Sequence, residues 1–283
     1  MVLVADSGST KTTWCIIKRD LKIFETCQTS GINPFLQSPG DISGTLRTEF
    51  SLSRGPFDAI YFYGAGCANP EKNEKVSKPL RELFATDNIF VFSDLMAAAR
   101  SLCGDNPGIA AILGTGSNSC YYDGKDICKH VPPLGYILGD EGSGTVLGRK
   151  LLSDILKNQL PDKLCRAFFN KYKISPEEIL DRIYRQPFPN RFMAQFTHFI
   201  AVHIENKSLY KLVKESFSEF LNRNVRQFPE AAHLPLNFTG SIGWYFRNVL
   251  EDAVVSSGFT TGVITREPME GLLEYHKKNY HAI

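Results

Sequence analysis

Residues 1–14 read MVLVADSGSTKTTW, and residues 109–122 read IAAILGTGSNSCYY. In each, an apolar run of strand length meets a turn of glycine and hydroxyl residues, and a second strand-like run follows. Asp6-Ser7-Gly8-Ser9 lies over Gly114-Thr115-Gly116-Ser117 at a constant offset of 108 residues, and Trp14 lies over Tyr122. A single turn of this kind reads as an ordinary hairpin loop. Two at a fixed offset read as a repeated unit, so the chain is expected to hold two halves of one design.

Outward from the first hairpin, the pattern gives strands at Val2–Ala5, Thr12–Lys18 and Lys22–Cys27, an antiparallel meander. Helix 41–53, strand 59–63 ending at Gly64-Ala65-Gly66, helix 71–84, strand 89–92 closed by Ser93-Asp94, and helix 95–102 follow. Turn formers crowd Cys103 to Gly108, which sets the boundary between an expected domain at 1–106 and a second at 107–283. Beyond the second hairpin the pattern predicts strand 126–131, a loop at 132–144, helix 145–160 and four more helical stretches reaching Gln227. Strand 234–238, helix 244–255 and strand 262–265 come next. A terminal helix over 268–279 closes the chain, and its return to the first domain is left open. Phe192, Phe196 and Phe199, with Phe217, Phe220 and Leu221, keep helical spacing and read as core. Strands alternating with helices make this an α/β protein.

With 32 basic and 30 acidic side chains the formal charge is +2, too small for a whole-protein field directed at nucleic acid or an anionic membrane. No apolar run reaches the roughly 18 residues of a membrane span. The start meets Asp6 too early for a secretory leader. Seven cysteines without a C-x-x-C pair read as buried free thiols, and a reducing cytoplasm is the expected compartment. His198 and His203 stand five apart, the wrong spacing for a helical metal pair.

Glycine and hydroxyl residues between two strands let backbone N–H groups and side-chain donors approach a phosphate. Lys11 can neutralise phosphate charge, Gly8, Ser9 and Thr10 offer close approach and donors, and Asp6 is suited to a hydrated Mg²⁺. Thr115 and Gly116 are the second-half counterparts. Neither turn is a P-loop or a dinucleotide fingerprint, because a strand follows each. Asp94, between a strand and a helix, is the candidate base for an attacking hydroxyl, with helix N-cap as its ordinary alternative. Asp140 and Glu141 offer acceptors beside flexible glycines, and Asn33 and Asn118 offer amides. Their ordinary alternative is a polar turn residue that satisfies its own backbone.

Asp6 to Thr12, Gly114 to Asn118, and the loop Leu138-Gly139-Asp140-Glu141-Gly142-Ser143-Gly144 resemble the three signatures of the N-acetylglucosamine kinase and BadF/BadG ATPase family. That family sits within the sugar kinase, Hsp70 and actin superfamily, and the resemblance covers nearly the whole chain. It implies two ribonuclease-H-like, actin-like ATPase domains with an interdomain nucleotide cleft, and a helical insertion in the second. It also implies ATP and Mg²⁺ as cofactors and transfer of the γ-phosphate to a sugar hydroxyl, with N-acetylglucosamine 6-phosphate as the leading product. By this resemblance Asp94 falls on the catalytic aspartate and Asn33, Asn118 and Asp140 on sugar contacts. Thr239-Gly240-Ser241 falls on the adenosine-side turn, with Gly240-Ser241 where a glycine pair is usual. Leu134-Gly135-Tyr136 departs from the more usual G-W-G. The implied partner is a small sugar, with no nucleic acid and no membrane, and assembly as a homodimer is left open. Glucosamine and N-acetylmuramic acid are other acceptors to weigh. An ATPase that drives electron transfer through an iron–sulfur cluster, or a regulator without catalysis, are readings from other classes.

Overall fold

A computed structural model describes residues 1–280 of the chain except 9, 19 and 21. Val2, Leu3, Val4 and Ala5 of β1 (Val2–Ser7) are fully buried. Leu3 and Ala5 enter one apolar cluster, Val2 and Val4 another, the period-two signature of a strand covered on both faces. β2 (Lys11–Ile17) repeats the division, with Trp14 and Ile16 on one side and Cys15 and Ile17 on the other. β2 is antiparallel to β1, and β3 (Ile23–Ser30) is antiparallel to β2. On the other side β4 (Ala59–Gly64) and β5 (Ile89–Ser93) add in parallel, giving the order β3-β2-β1-β4-β5.

Helices cover both faces of this sheet. α1 (Pro39–Glu49) and α2 (Pro70–Phe84) bring Ile42, Leu46, Val76, Leu80 and Phe84 to the Trp14 side. α3 (Asp94–Cys103) and the terminal helix bring Ala97, Met269, Leu272 and Leu273 to the Val2 side. α1 starts earlier than its apolar pattern suggests, because Ser38 and Asp41 form a reciprocal capping box.

The second sheet contains β6 (Gly108–Leu113), β7 (Ser117–Tyr122), β8 (Ile127–His130), β9 (Leu236–Thr239) and β10 (Thr261–Thr265). Its order is β8-β7-β6-β9-β10, with β9 parallel to β6 and β10 parallel to β9. The resemblance between the halves thus extends from one hairpin to the whole strand order. The stretch expected as a plain loop at 132–144 contains a helical turn, α4 (Gly135–Leu138). α5 (Gly144–Leu156), α6 (Asp162–Tyr172), α7 (Pro176–Tyr184), α8 (Pro189–Ala194), α9 (Thr197–Val202) and α10 (Lys207–Arg223) lead toward β9. Five helices, not four, therefore stand between α5 and Gln227, because helical spacing of Phe192, Phe196 and Phe199 runs straight across the break at 195–196. Those phenylalanines join Phe168, Phe217, Phe220 and Leu221 in one large core. After β9 come α11 (Ser241–Tyr245), α12 (Arg247–Ser256) and, beyond β10, α13 (Met269–Lys278). The single helix expected over 244–255 is thus two, parted at the buried Phe246.

The chain divides into two compact units. Residues 1–107 and 122–127, with the chain from Glu267 onward, form the first, and residues 108–121 with 128–266 form the second. Among the described residues no helix is long and apolar enough to cross a membrane. Cys15, Cys67 and Cys120 are buried, whereas Cys128 is exposed, so the buried reading fails there.

Candidate active site

In the first unit, Ser7 pairs with Gly64 and Gly64 with Ser93. The carboxyl ends of β1, β4 and β5 therefore share one edge, which carries the Asp6 turn, the Gly64-Ala65-Gly66 turn and Asp94. Open α/β sheets bind ligands at such an edge, because strand ends there release backbone and side chains into loops. The Gly8 N–H donates to the Lys11 carbonyl at 3.0 Å, closing the hairpin tightly. Ser7 is buried, and its Oγ accepts from the Ile32 N–H at 2.9 Å and lies 2.7 Å from Thr12 Oγ1. Together with the Gly31 N–H on the Thr10 carbonyl at 3.1 Å, this stitches Gly31-Ile32-Asn33 to the Asp6 turn. Asn33 lies against Gly66, where φ is +84° and a Cβ would fall 2.4 Å from Asn33 Oδ1, so only glycine fits. Asn33 Oδ1 accepts from the Phe35 N–H at 2.9 Å, a turn role, and among the described residues its amide nitrogen is engaged by none.

Asp94 is the first residue of α3, and the cap is its neighbour: Ser93 Oγ accepts from the Met96 N–H at 3.2 Å. Asp94 is thereby relieved of the capping role, and its Oδ1 accepts from the Leu95 N–H at 2.9 Å. Burial pushes its pKa up, with the Leu95 N–H opposing. Asp6 is pushed up to about 7, by burial first and then by the charges of Asp94 and Glu267, with Lys11 opposing. Glu267 is a member of this group that sequence reasoning missed. Its Oε1 holds Lys11 Nζ at 2.8 Å across 256 residues of chain, so no local spacing could have announced it.

Among the described residues no group of three or more His, Cys, Asp or Glu side chains is placed to hold a metal. Mg²⁺ keeps most of its waters and needs one or two carboxylates beside substrate phosphates. Asp6 is the candidate, since a carboxyl whose pKa is raised by burial and by neighbouring carboxylates is relieved by a cation. Cys67, buried near Asp94, is pushed up to about 12 by burial and then by that charge, the opposite of a thiolate ligand.

In the second unit, Ile112 pairs with Thr239 and Thr239 with Thr265, so the ends of β6, β9 and β10 again share an edge. Gly240 leaves β9 at φ +119° and ψ 154°, a region open essentially to glycine alone. A Cβ there would lie 2.4 Å from the Leu113 carbonyl, so the Gly240 turn presses onto the Gly114 turn, with Ser241 opening α11. The 139–144 loop is bonded to the same turn. Gly144 N–H donates to the Gly114 carbonyl at 2.8 Å, and Thr145 donates to the Thr115 carbonyl from its N–H at 3.1 Å and its Oγ1 at 2.7 Å.

Asp140 sits in the left-handed region at φ +56°, and its Oδ1 accepts from the Ser117 N–H at 3.3 Å. Strain of this kind persists where the surroundings over-determine it, as at ligand sites. Burial raises the Asp140 pKa, the Ser117 N–H lowers it, and the Glu141 charge raises it further. Glu141 itself corrects the sequence expectation of paired acceptors. It is buried, with Oε1 on Arg223 Nε at 2.6 Å and Oε2 on Asn224 Nδ2 at 3.2 Å, so its acceptors serve the α10 end. Asn118 Oδ1 accepts from the Ser119 N–H at 3.0 Å and lies 2.8 Å from His130 Nε2.

The first unit thus gathers Asp6, Gly8, Thr10, Lys11, Asn33 and Asp94. The second gathers Thr115, Gly116, Asn118, Asp140, Gly240 and Ser241. Ser9 lies outside the described residues.

No protein-family model matches the chain, and neither does any curated protein. Among solved structures, one from Porphyromonas gingivalis, provisionally assigned as an N-acetylglucosamine kinase, is 47% identical, with a TM-score of 0.95 over 99% of this chain and 100% of its own. A second provisional N-acetylglucosamine kinase, from Chromobacterium violaceum, is 17% identical with a TM-score of 0.75, over 97% of this chain and 98% of its own. A glucokinase of the ROK family from Streptomyces griseus, in complex with glucose and AMPPNP, is 13% identical with a TM-score of 0.59, over 97% of both chains. The last two share the fold.

Proposed function

The chain belongs to the N-acetylglucosamine kinase family of the sugar kinase, Hsp70 and actin superfamily, and we propose that it transfers the γ-phosphate of ATP to N-acetylglucosamine, forming the 6-phosphate. The observation that carries this reading is Asp94, a carboxylate freed from capping by Ser93 and raised in pKa at the strand-end edge that also bears Asp6 and Asn33.

A hydroxyl attacking phosphorus must lose its proton, and a base works best when its pKa is moved toward the working pH. In this reading Asp94 accepts the proton as the new P–O bond forms, and the bond to the ADP oxygen breaks. Lys11, Gly8, Thr10, Thr115 and Gly116 serve the phosphates, and Gly240 and Ser241 the adenosine side. Asp6 would hold Mg²⁺, which supplies charge neutralisation on the phosphates. Asn33, Asn118 and Asp140 contact the sugar, a donor and acceptor set that hydroxyl and amide groups require.

The test is mass spectrometry of the sugar after incubation with ATP and Mg²⁺, with NMR to locate the phosphate. N-acetylglucosamine carrying one phosphate at O6 is expected; unmodified sugar beside accumulating ADP would refute the acceptor.

A further inference from the structure

Asn118 Oδ1 is surrounded by donors. The backbone N–H of Ser119 can only donate, and it reaches this atom at 3.0 Å, so the atom is the carbonyl oxygen and not the amide nitrogen. His130 Nε2 lies 2.8 Å from the same oxygen and, facing an acceptor, must carry a proton. A neutral His130 is then the Nε2–H tautomer, and an imidazolium donates from the same atom, so the bond survives either charge state. With both lone pairs of Oδ1 engaged, the part of the amide left to a ligand is Nδ2 with its two donors. His130 ends β8 and Asn118 is the second residue of the neighbouring β7, so the strand pairing of the second sheet brings together residues 12 apart in sequence.

We infer that His130 is a positioning residue that locks the Asn118 amide so that its NH₂ group faces the acceptor substrate, favouring a hydroxyl or carbonyl oxygen there over an ammonium. The inference rests on Asn118 being a sugar contact, as proposed above. An amide free to rotate by half a turn presents oxygen or nitrogen with equal ease and discriminates little between these groups. One held by two donors presents nitrogen. His130 is exposed, so its replacement leaves the core untouched.

The test is steady-state kinetics of the full chain with N-acetylglucosamine and with glucosamine, whose ammonium can only donate. His130→Ala should raise KM for N-acetylglucosamine by about 2- to 12-fold, the worth of one net hydrogen bond, with kcat and the KM for ATP unchanged. His130→Gln, which keeps a donor, should restore KM. His130→Glu, which can only accept, should shift the kcat/KM ratio of the two sugars toward glucosamine. Nitrogen-15 NMR of the wild-type imidazole should find Nε2 protonated. An unaltered sugar KM in His130→Ala, an equal fall in kcat and ATP affinity, or an Nδ1–H tautomer would each overturn the assignment. Should the wild type phosphorylate no sugar, the proposed function falls, while the tautomer measurement still decides the orientation of the amide.

Discussion

Asp6 and Asp94 share one strand-end edge and repel each other, and the different duties proposed for them rest on their neighbours. Asp94 has a backbone donor and, among the described residues, no cation acting on it, whereas Asp6 has Lys11 within its field and Lys11 is already held by Glu267. Asp94→Asn should lower phosphoryl transfer by about 10²- to 10⁴-fold while leaving nucleotide affinity by calorimetry within a few-fold of wild type. Near-normal turnover would remove Asp94 from the base role.

The raised pKa of Asp6 makes a second prediction, on stability without nucleotide or divalent cation. A carboxyl at about 7 when folded and 3.8 when unfolded binds more protons in the folded state between those values. Its contribution is thus most favourable below about pH 4 and is lost as pH rises through 7, by about 4 kcal/mol at most. Asp6→Asn should therefore raise Tm in EDTA at pH 8, with the gain narrowing as pH is lowered toward 4. Glu267 supplies the third. A half-exposed ion pair is worth up to about 1 kcal/mol, and phosphate must compete with Glu267 for Lys11. Glu267→Gln should tighten nucleotide binding by about 2- to 5-fold at low salt, an effect that Lys11→Met removes; weaker binding would mean that Glu267 orients Lys11 for the phosphate.

At the scale of elements, glycine turns do two different jobs. Gly240 and Gly258 both have positive φ, but a Cβ at Gly240 would strike the Leu113 carbonyl at 2.4 Å, whereas at Gly258 it would meet nothing within 4 Å. Gly258→Ala should cost about 1–2 kcal/mol in urea unfolding, the conformational penalty alone. Gly240→Ala should cost more and weaken nucleotide binding, since the Gly114 turn must yield. Both glycine turns of the repeated hairpins could be read from local spacing, because hairpins are local structures. The division between α8 and α9 could not, since aromatic spacing carries on across the break. Capping was missed at both places: the box of Ser38 and Asp41 starts α1 ahead of residue 41, and at α3 the serine before Asp94 takes the cap.

Across the whole molecule, the two sheets repeat one strand order with parallel partners at corresponding places, and each unit carries its polar loops at the carboxyl ends of those strands. The offset of 108 residues announced the repeat, and Asp6, Asp94 and Asp140 could be singled out as candidates because each sits at a strand end or in a glycine loop. Glu267 and His130 were invisible in sequence for one reason: each acts through a partner that only strand pairing or the return of the last helix supplies. Glu141 misled for the converse reason, since beside Asp140 in sequence it turns instead to Arg223.

The central claim, a kinase whose acceptor is a sugar, is tested most directly by ADP release from ATP and Mg²⁺ with N-acetylglucosamine, glucosamine, N-acetylmuramic acid, glucose or water alone. Release that depends on sugar, is strongest with N-acetylglucosamine and is absent in Asp94→Asn is the predicted result. Release at the same rate in water would contradict it and identify an ATPase.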